Sequence, residues 1–286
     1  MKTNISLVSA VCILVSCQED LDVKRPDLDL SNAPERFEQM YSDGLGVAIQ
    51  SLDEILKEEN GKMMYLDRQS LQTKTFQHWE NNYILIDNFD SESFLGESLE
   101  NKNFGNTIVD PHSLEFLETL EDAYSREQLP ILLEFLNELF ESDDFGKAKF
   151  LSKNFHNKLF DSNLSNEEKL ELHAIGSGVY ALADFLENGG MDRFGEQMAV
   201  LVKGSGYSSN LRCRVDMRAV WASAVVSGGI NAVRGGVIGC AGGTVVFPLL
   251  GTASGCVGGA VMGGAVGFIE GAFGGLAGSL LLTCWR

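Results

Sequence analysis

The sequence predicts a mainly α protein, an acidic helical bundle followed by an apolar, glycine-striped helical hairpin. Three observations carry that prediction. Apolar residues recur at helical spacing through most of residues 35–203. Charge is partitioned: residues 18–203 hold 38 Asp and Glu against 16 Lys and Arg, whereas residues 204–286 hold two acids, Asp216 and Glu270, and five arginines. Glycine is partitioned as well, with 20 of the 31 glycines beyond residue 203, many of them four residues apart. Two physically different segments therefore meet near residue 204.

The 286 residues are 44% apolar, enough for a sizeable core, which excludes wholesale disorder. A net charge of −18 argues for no nucleic acid as principal partner.

The N-terminus carries Lys2 and then an apolar run from Ile5 to Val15, broken only by Ser6 and Ser9. One early positive charge before about ten apolar residues reads as a secretory signal, too short to span a bilayer. The run ends in Leu14-Val15-Ser16-Cys17, which resembles the lipobox of bacterial lipoproteins. That resemblance implies a signal peptide over residues 1–16, cleavage before Cys17, and diacylation of its sulfur. Residues 17–34, with Pro26 and Pro34 and no periodicity, then form the acylated tether. The acidic run Gln18-Glu19-Asp20-Leu21-Asp22 resembles the surface-export signal of some Bacteroidota lipoproteins. It implies lipid anchoring in the outer membrane with display on the cell surface; a solvated tether on the periplasmic face is the alternative.

Residues 35–203 read as the acidic helical domain. Phe37, Met40, Tyr41, Ala48, Leu52, Ile55 and Leu56 share a helical face, weakened in the middle by Gly44 and Gly46. Asp110-Pro111 predicts a capped helix start before Leu114, Leu117, Leu120 and Tyr124. Leu132, Leu133, Leu136, Leu139 and Phe140 form a face after Pro130, and Ala148, Leu151, Phe155 and Leu159 form another. Ser165-Asn166-Glu167-Glu168 is a capping-box pattern that opens a helix closed by Gly189-Gly190. Residues 60–109 lack the rhythm, apart from one short strand expected at Tyr83-Ile84-Leu85-Ile86.

This segment offers little chemistry. His78, His112, His156 and His173 are scattered, without the spacing that puts two metal ligands on one helix face. Gly176-Ser177-Gly178 lacks the context of a nucleophile elbow, and no phosphate loop or dinucleotide fingerprint occurs. The expectation is a non-enzymatic protein with no metal and no cofactor.

Residues 204–286 carry the strongest pattern. No charged residue occurs from Gly235 to Ile269. Gly235, Gly239 and Gly243 recur every fourth residue, and so do Gly251, Gly255, Gly259, Gly263, Gly267, Gly271 and Gly275. On a helix each such series forms one slowly drifting stripe, which lets two backbones approach closely. Glycine costs about 1 kcal/mol per helical site relative to alanine, so these helices need a close partner or a bilayer. The break around Phe247-Pro248 predicts a turn, giving hairpin legs over roughly 214–246 and 250–283. In such a hairpin Cys240 lies level with Cys256 and Cys213 with Cys284, so two nested disulfides are expected in an oxidising compartment. Four cysteines allow three connectivities, and free thiols remain the alternative. Glu270, inside an apolar leg, is expected either to face protein or water or to be a plain surface charge.

The glycine series resembles glycine-zipper proteins, a class that includes two-peptide bacteriocins and other membrane-active polypeptides. The apolar hairpin at the chain's end also resembles that of pore-forming colicins. Both resemblances cover only about residues 219–285. They imply a lipid bilayer as partner and self-association through the stripe, with Gly259 and Gly263 at its centre. In a bacteriocin-like, contact-delivered antimicrobial toxin they also imply an immunity protein. Glycine zippers occur in structural envelope lipoproteins too. The alternative expectation is therefore a non-enzymatic structural or binding lipoprotein that uses the hairpin as an anchor or packing element.

Overall fold

Capping residues and apolar spacing place most of the helices. A 3-10 turn over Leu30–Asn32 leads into α1 (Ala33–Gln50), which buries Phe37, Met40, Tyr41, Leu45 and Ala48. A short helix, α2 (Leu52–Ile55), precedes an antiparallel ribbon of β1 (Leu56–Glu59) and β2 (Lys62–Leu66). Asp67 then caps α3 (Arg68–Asn82) by accepting from the Ser70 amide at 3.1 Å, and β3 (Leu85–Asp87) follows. The acidic segment continues with α4 (Leu114–Ala123), α5 (Gln128–Phe140), α6 (Phe145–Phe160), α7 (Asn166–Phe185) and α8 (Met191–Gly204). The capping box of Ser165 and Glu168 opens α7, and a π turn over Leu186–Gly190, with Gly189 at φ +89°, separates it from α8. Last come α9 (Met217–Gly242), β4 (Thr244–Phe247), β5 (Gly251–Ser254) and α10 (Gly255–Cys284).

This computed structural model describes residues 28–59, 62–87, 113–142, 144–204, 215–242, 244–247 and 250–284. The expected signal peptide, Cys17 and most of its tether, Asp110-Pro111, Cys213, Gly243 and Pro248 lie outside the described residues. The fold is mainly α.

α10 is the central helix. No residue from Gly255 to Leu281 is exposed, and the helix packs on α9, α7, α3 and α1. A helix that is apolar on every side belongs in a core or a bilayer. Here the shell around it is made of amphipathic helices and of α3, whose inner face is partly polar. Phe268 meets the Tyr41 ring edge-on at 5.4 Å, and Phe273 meets Phe194 at 5.5 Å. The compositional change at residue 204 is no boundary in packing: one core runs from Leu30 to Leu280. β3, from the acidic segment, pairs with β4 to extend a three-stranded sheet, β3-β4-β5.

Several local expectations are corrected. α9 ends at Gly242 and α10 begins at Gly255, so the legs are shorter than expected, and a β-ribbon carries the reversal between them. The Ser113 hydroxyl caps α4 by accepting from the Phe116 amide at 3.1 Å. The buried face of α4 is Phe116, Leu120 and Tyr124, while Leu114 and Leu117 point outward. Residues 60–109 contain a full helix, α3, whose buried face includes the polar Gln72 and Thr75 beside Leu71, Phe76 and Trp79. Those polar positions erase the apolar rhythm by which a helix is read.

Two of the scattered histidines meet in the core. His156 on α6 and His173 on α7 are both buried, with their Nδ1 atoms 2.9 Å apart, so one ring donates and the other accepts. Burial is the main force holding both below the usual histidine range. The unfolded chain titrates near 6.5, so it takes up protons that the folded chain refuses. The stability linked to this pair is whole above about pH 6.5 and is lost as pH falls below it. Replacing both with leucine (His156→Leu/His173→Leu) removes that penalty. The melting temperature of the variant relative to wild type should rise between pH 7 and pH 4.5, by roughly 2–4 °C per kcal/mol. An offset that stays constant across those two melts would contradict the assignment.

Candidate functional site: an interlocked glycine helix pair

α9 and α10 run antiparallel with their backbones in direct contact. A methyl group added at Gly235 would overlap the Gly259 carbonyl, and one at Gly259 would overlap the Gly235 carbonyl. The same holds for Gly239 against Gly255, Gly263 against Asn231, Gly267 against Ser227 and Gly271 against Ser223. At Gly275 the nearest backbone atom is Val220 Cα, 2.9 Å from the site of a β-carbon. The register is constant at four residues per step. From Gly239 to Ser223 the interlock runs sixteen residue steps, about 24 Å of helix.

The stripe on α10 is made by Gly255, Gly259, Gly263, Gly267, Gly271 and Gly275. On α9 only Gly235 and Gly239 belong to it among the described residues; the facing row continues through Asn231, Ser227 and Ser223. That polar extension was invisible in a search for glycines alone, although the four-residue spacing runs straight through it. Gly251 is outside the stripe. It opens β5 at φ +108°, a conformation that glycine adopts without strain where the ribbon turns.

Cys240 and Cys256 are joined by a disulfide, with their Cα atoms 4.1 Å apart. Each follows a glycine of the interlock, Gly239 or Gly255, so the close backbone approach brings the two sulfurs within bonding range. Cys284 is the last residue of α10, and its expected pairing with Cys213 lies outside the described residues.

The single charge of α10 is tied to the shell. Glu270 is 3% exposed, so it is not a surface charge. Its carboxylate accepts from Arg68 Nε at 2.9 Å and from Gln72 Nε2 at 2.7 Å, both on α3. Burial is the larger force and works against ionisation of Glu270, and a hydrogen bond from Asn231 and the charge of Arg234 help Arg68 and Gln72 to oppose it. A buried carboxylate stays charged only when paired and hydrogen-bonded in this way. Sequence spacing gave no signal for Arg68 and Gln72, which lie some 200 residues upstream and on a helix whose rhythm is hidden.

The shell also reaches the pair through glycines of its own. A methyl at Gly44 of α1 would lie 2.6 Å from Ile269 Cδ1, and one at Gly178 of α7 would lie 3.2 Å from the Phe268 ring. Gly44 is thus a contact point with α10, not a flaw in α1. By length and composition Gly255–Leu281 is apolar enough to cross a membrane, with mean hydropathy 1.5, and 78% of that stretch is buried inside the protein. Among the described residues no cluster of three metal-ligating side chains occurs. No family model, curated protein or solved structure matches this chain.

The interlock predicts a sharp split within one substitution type. Gly259→Ala forces a methyl into a facing carbonyl and should cost about 3 kcal/mol or more. Gly46→Ala places its methyl in open space and should gain up to about 1 kcal/mol. Denaturant unfolding of the oxidised protein measures both; equal effects would contradict backbone contact at Gly259. The disulfide closes a loop about fifteen residues long, so Cys240→Ser/Cys256→Ser should lower stability by about 3 kcal/mol. The same denaturation series checks it, and no loss would mean the thiols are not paired.

Proposed function

We propose that this chain is an exported, lipid-anchored bacterial protein that stores an apolar helix pair inside an acidic helical shell and delivers the pair to a lipid bilayer. The observation that carries this reading is the combination at α10. It is a helix long and apolar enough to span a membrane, with no exposed residue from Gly255 to Leu281 and with its one charge, Glu270, paired with Arg68 and hydrogen-bonded by Gln72 of the shell. The interlock through Gly259 and Gly263 is internal to the pair, so it survives a change of surroundings. The most concrete form is a bacteriocin-like toxin delivered on contact at the cell surface, acting without enzymatic chemistry and restrained in its producer by an immunity protein.

A second reading is favoured by the burial itself. A helix 78% enclosed by its own chain needs no bilayer, which suits a structural or binding envelope lipoprotein whose glycine pair is the core of its fold.

Release of dye from vesicles of phosphatidylethanolamine and phosphatidylglycerol separates the two. The purified chain carries Cys17→Ser and keeps its disulfide. Arg68→Gln removes the guanidinium bonded to Glu270 and leaves it Gln72 as donor on α3 and Arg234 within its own helix pair, which loosens the shell from α10. Leakage by the parent chain that accelerates several-fold in Arg68→Gln is the expected result. Two folded proteins that leave the vesicles sealed would support the structural lipoprotein.

A further inference from the structure

Beside the interlock lies a cavity of about 240 Å³, walled by α4, α7, α9 and α10. An apolar cavity of roughly 150 Å³ is enough to take up benzene. The space exists because a second row of small residues flanks the interlocking one: Gly228, Ala232 and Gly236 on α9, and Ala260 and Gly264 on α10. From Gly228 to Gly236 the groove runs about 12 Å. Val233, 40% exposed, stands where it opens to solvent.

The two ends differ. The Gly236 end is apolar and closes at Val257 and the disulfide-bonded Cys256. Tyr124 brings a polar group to the Gly228 end: its ring lies 3.8 Å from where a β-carbon on the neighbouring Gly229 would stand. Tyr124 and Tyr41 line the cavity at 8% and 2% exposure, and neither hydroxyl makes a hydrogen bond to the described residues. A tyrosine hydroxyl that finds no protein partner is satisfied by whatever polar group enters the space it faces. Glu171 lines the cavity close to Tyr124. Gln128 Nε2 donates to its carboxylate at 2.8 Å, and no cation pairs with it among the described residues. Burial pushes this carboxyl up to about 7, as expected for an acid without a counter-charge. Asp122 adds a second carboxylate to the lining.

We infer that this cavity binds a cationic amphiphile, with its aliphatic chain along the floor of Gly228, Gly236 and Gly264 and its ammonium head at Glu171 and the hydroxyls of Tyr41 and Tyr124. The groove supplies shape without side chains, and the head group supplies the donors and the positive charge that these three residues lack. The site belongs to the closed bundle and does not depend on membrane delivery.

Calorimetric titration of the full-length Cys17→Ser chain at pH 8 with decylamine, decanol and decanoate tests the inference. Decylamine should bind at least tenfold more tightly than decanol, with decanoate the weakest. Glu171→Gln should bring decylamine down to the level of decanol without touching the groove. Gly236→Leu, whose β-carbon would make only ordinary contacts at 3.4 Å to the Cys256 carbonyl oxygen and 3.5 Å to Ala260 Cβ, should fill the groove and abolish binding of all three while the melting transition is retained. Absence of saturable decylamine binding to the parent chain, or decanoate binding as tightly as decylamine, would overturn the assignment.

Discussion

Where a carbonyl oxygen of one helix occupies the space that a β-carbon of its neighbour would need, only glycine can stand, and the α9–α10 contact repeats that condition through Gly235, Gly259, Gly263, Gly267 and Gly271. Much of the architecture follows from it. Helices so rich in glycine are weak on their own and must be held by a partner. Close approach makes each the partner of the other and sets the register that aligns Cys240 with Cys256. It also leaves the joined pair apolar on its outer surface. Such a pair must be covered, so amphipathic helices surround α10, with Phe268 and Ile269 seated against glycines of α7 and α1.

Glu270 turns that enclosure from simple burial into a specific fit. An apolar helix in an apolar sleeve could slide or rotate at little cost, because dispersion contacts are individually small and unselective. A buried carboxylate held by Arg68 and Gln72 fixes one rotation and one height of α10 against α3. It also explains why α3 breaks the rules of an amphipathic helix. Its inner face must present polar groups to this one acid, and Gln72 does so from a buried position.

The legibility of this fold in its sequence divides along the same line. Elements fixed by local rules were readable: the capping box at Ser165, the face of Phe37, Met40 and Tyr41, and the glycine stripe of α10. Elements fixed by long-range partners were not. α3 was hidden because its buried Gln72 answers to Glu270, and the phase of α4 was misread because Leu114 and Leu117 face outward. The His156–His173 contact joins two helices whose spacing in sequence carries no trace of it. Of the candidate site, half of the interlock was legible as glycine. The other half, Asn231, Ser227 and Ser223, was not, because small polar residues serve the same steric purpose without announcing it.

The two kinds of contact around α10 differ in a way that bears on what the protein does. Inside the pair, contacts run backbone to backbone and are tied by a disulfide at the ribbon end, so they depend on neither water nor shell. Between pair and shell, the contacts are side chains in shallow slots, the ion pairs Arg68–Glu270 and Arg218–Glu141, and, at the ribbon, the pairing of β3 with β4. Loosening the shell therefore disrupts side-chain packing and uncovers Glu270, while the pair keeps its internal register. A core built only for stability has no need of that separation, since its strength would be spread evenly among neighbours. A core that leaves its covering as a unit, as proposed above, has to break the β3–β4 pairing and both ion pairs while the backbone interlock and the disulfide hold.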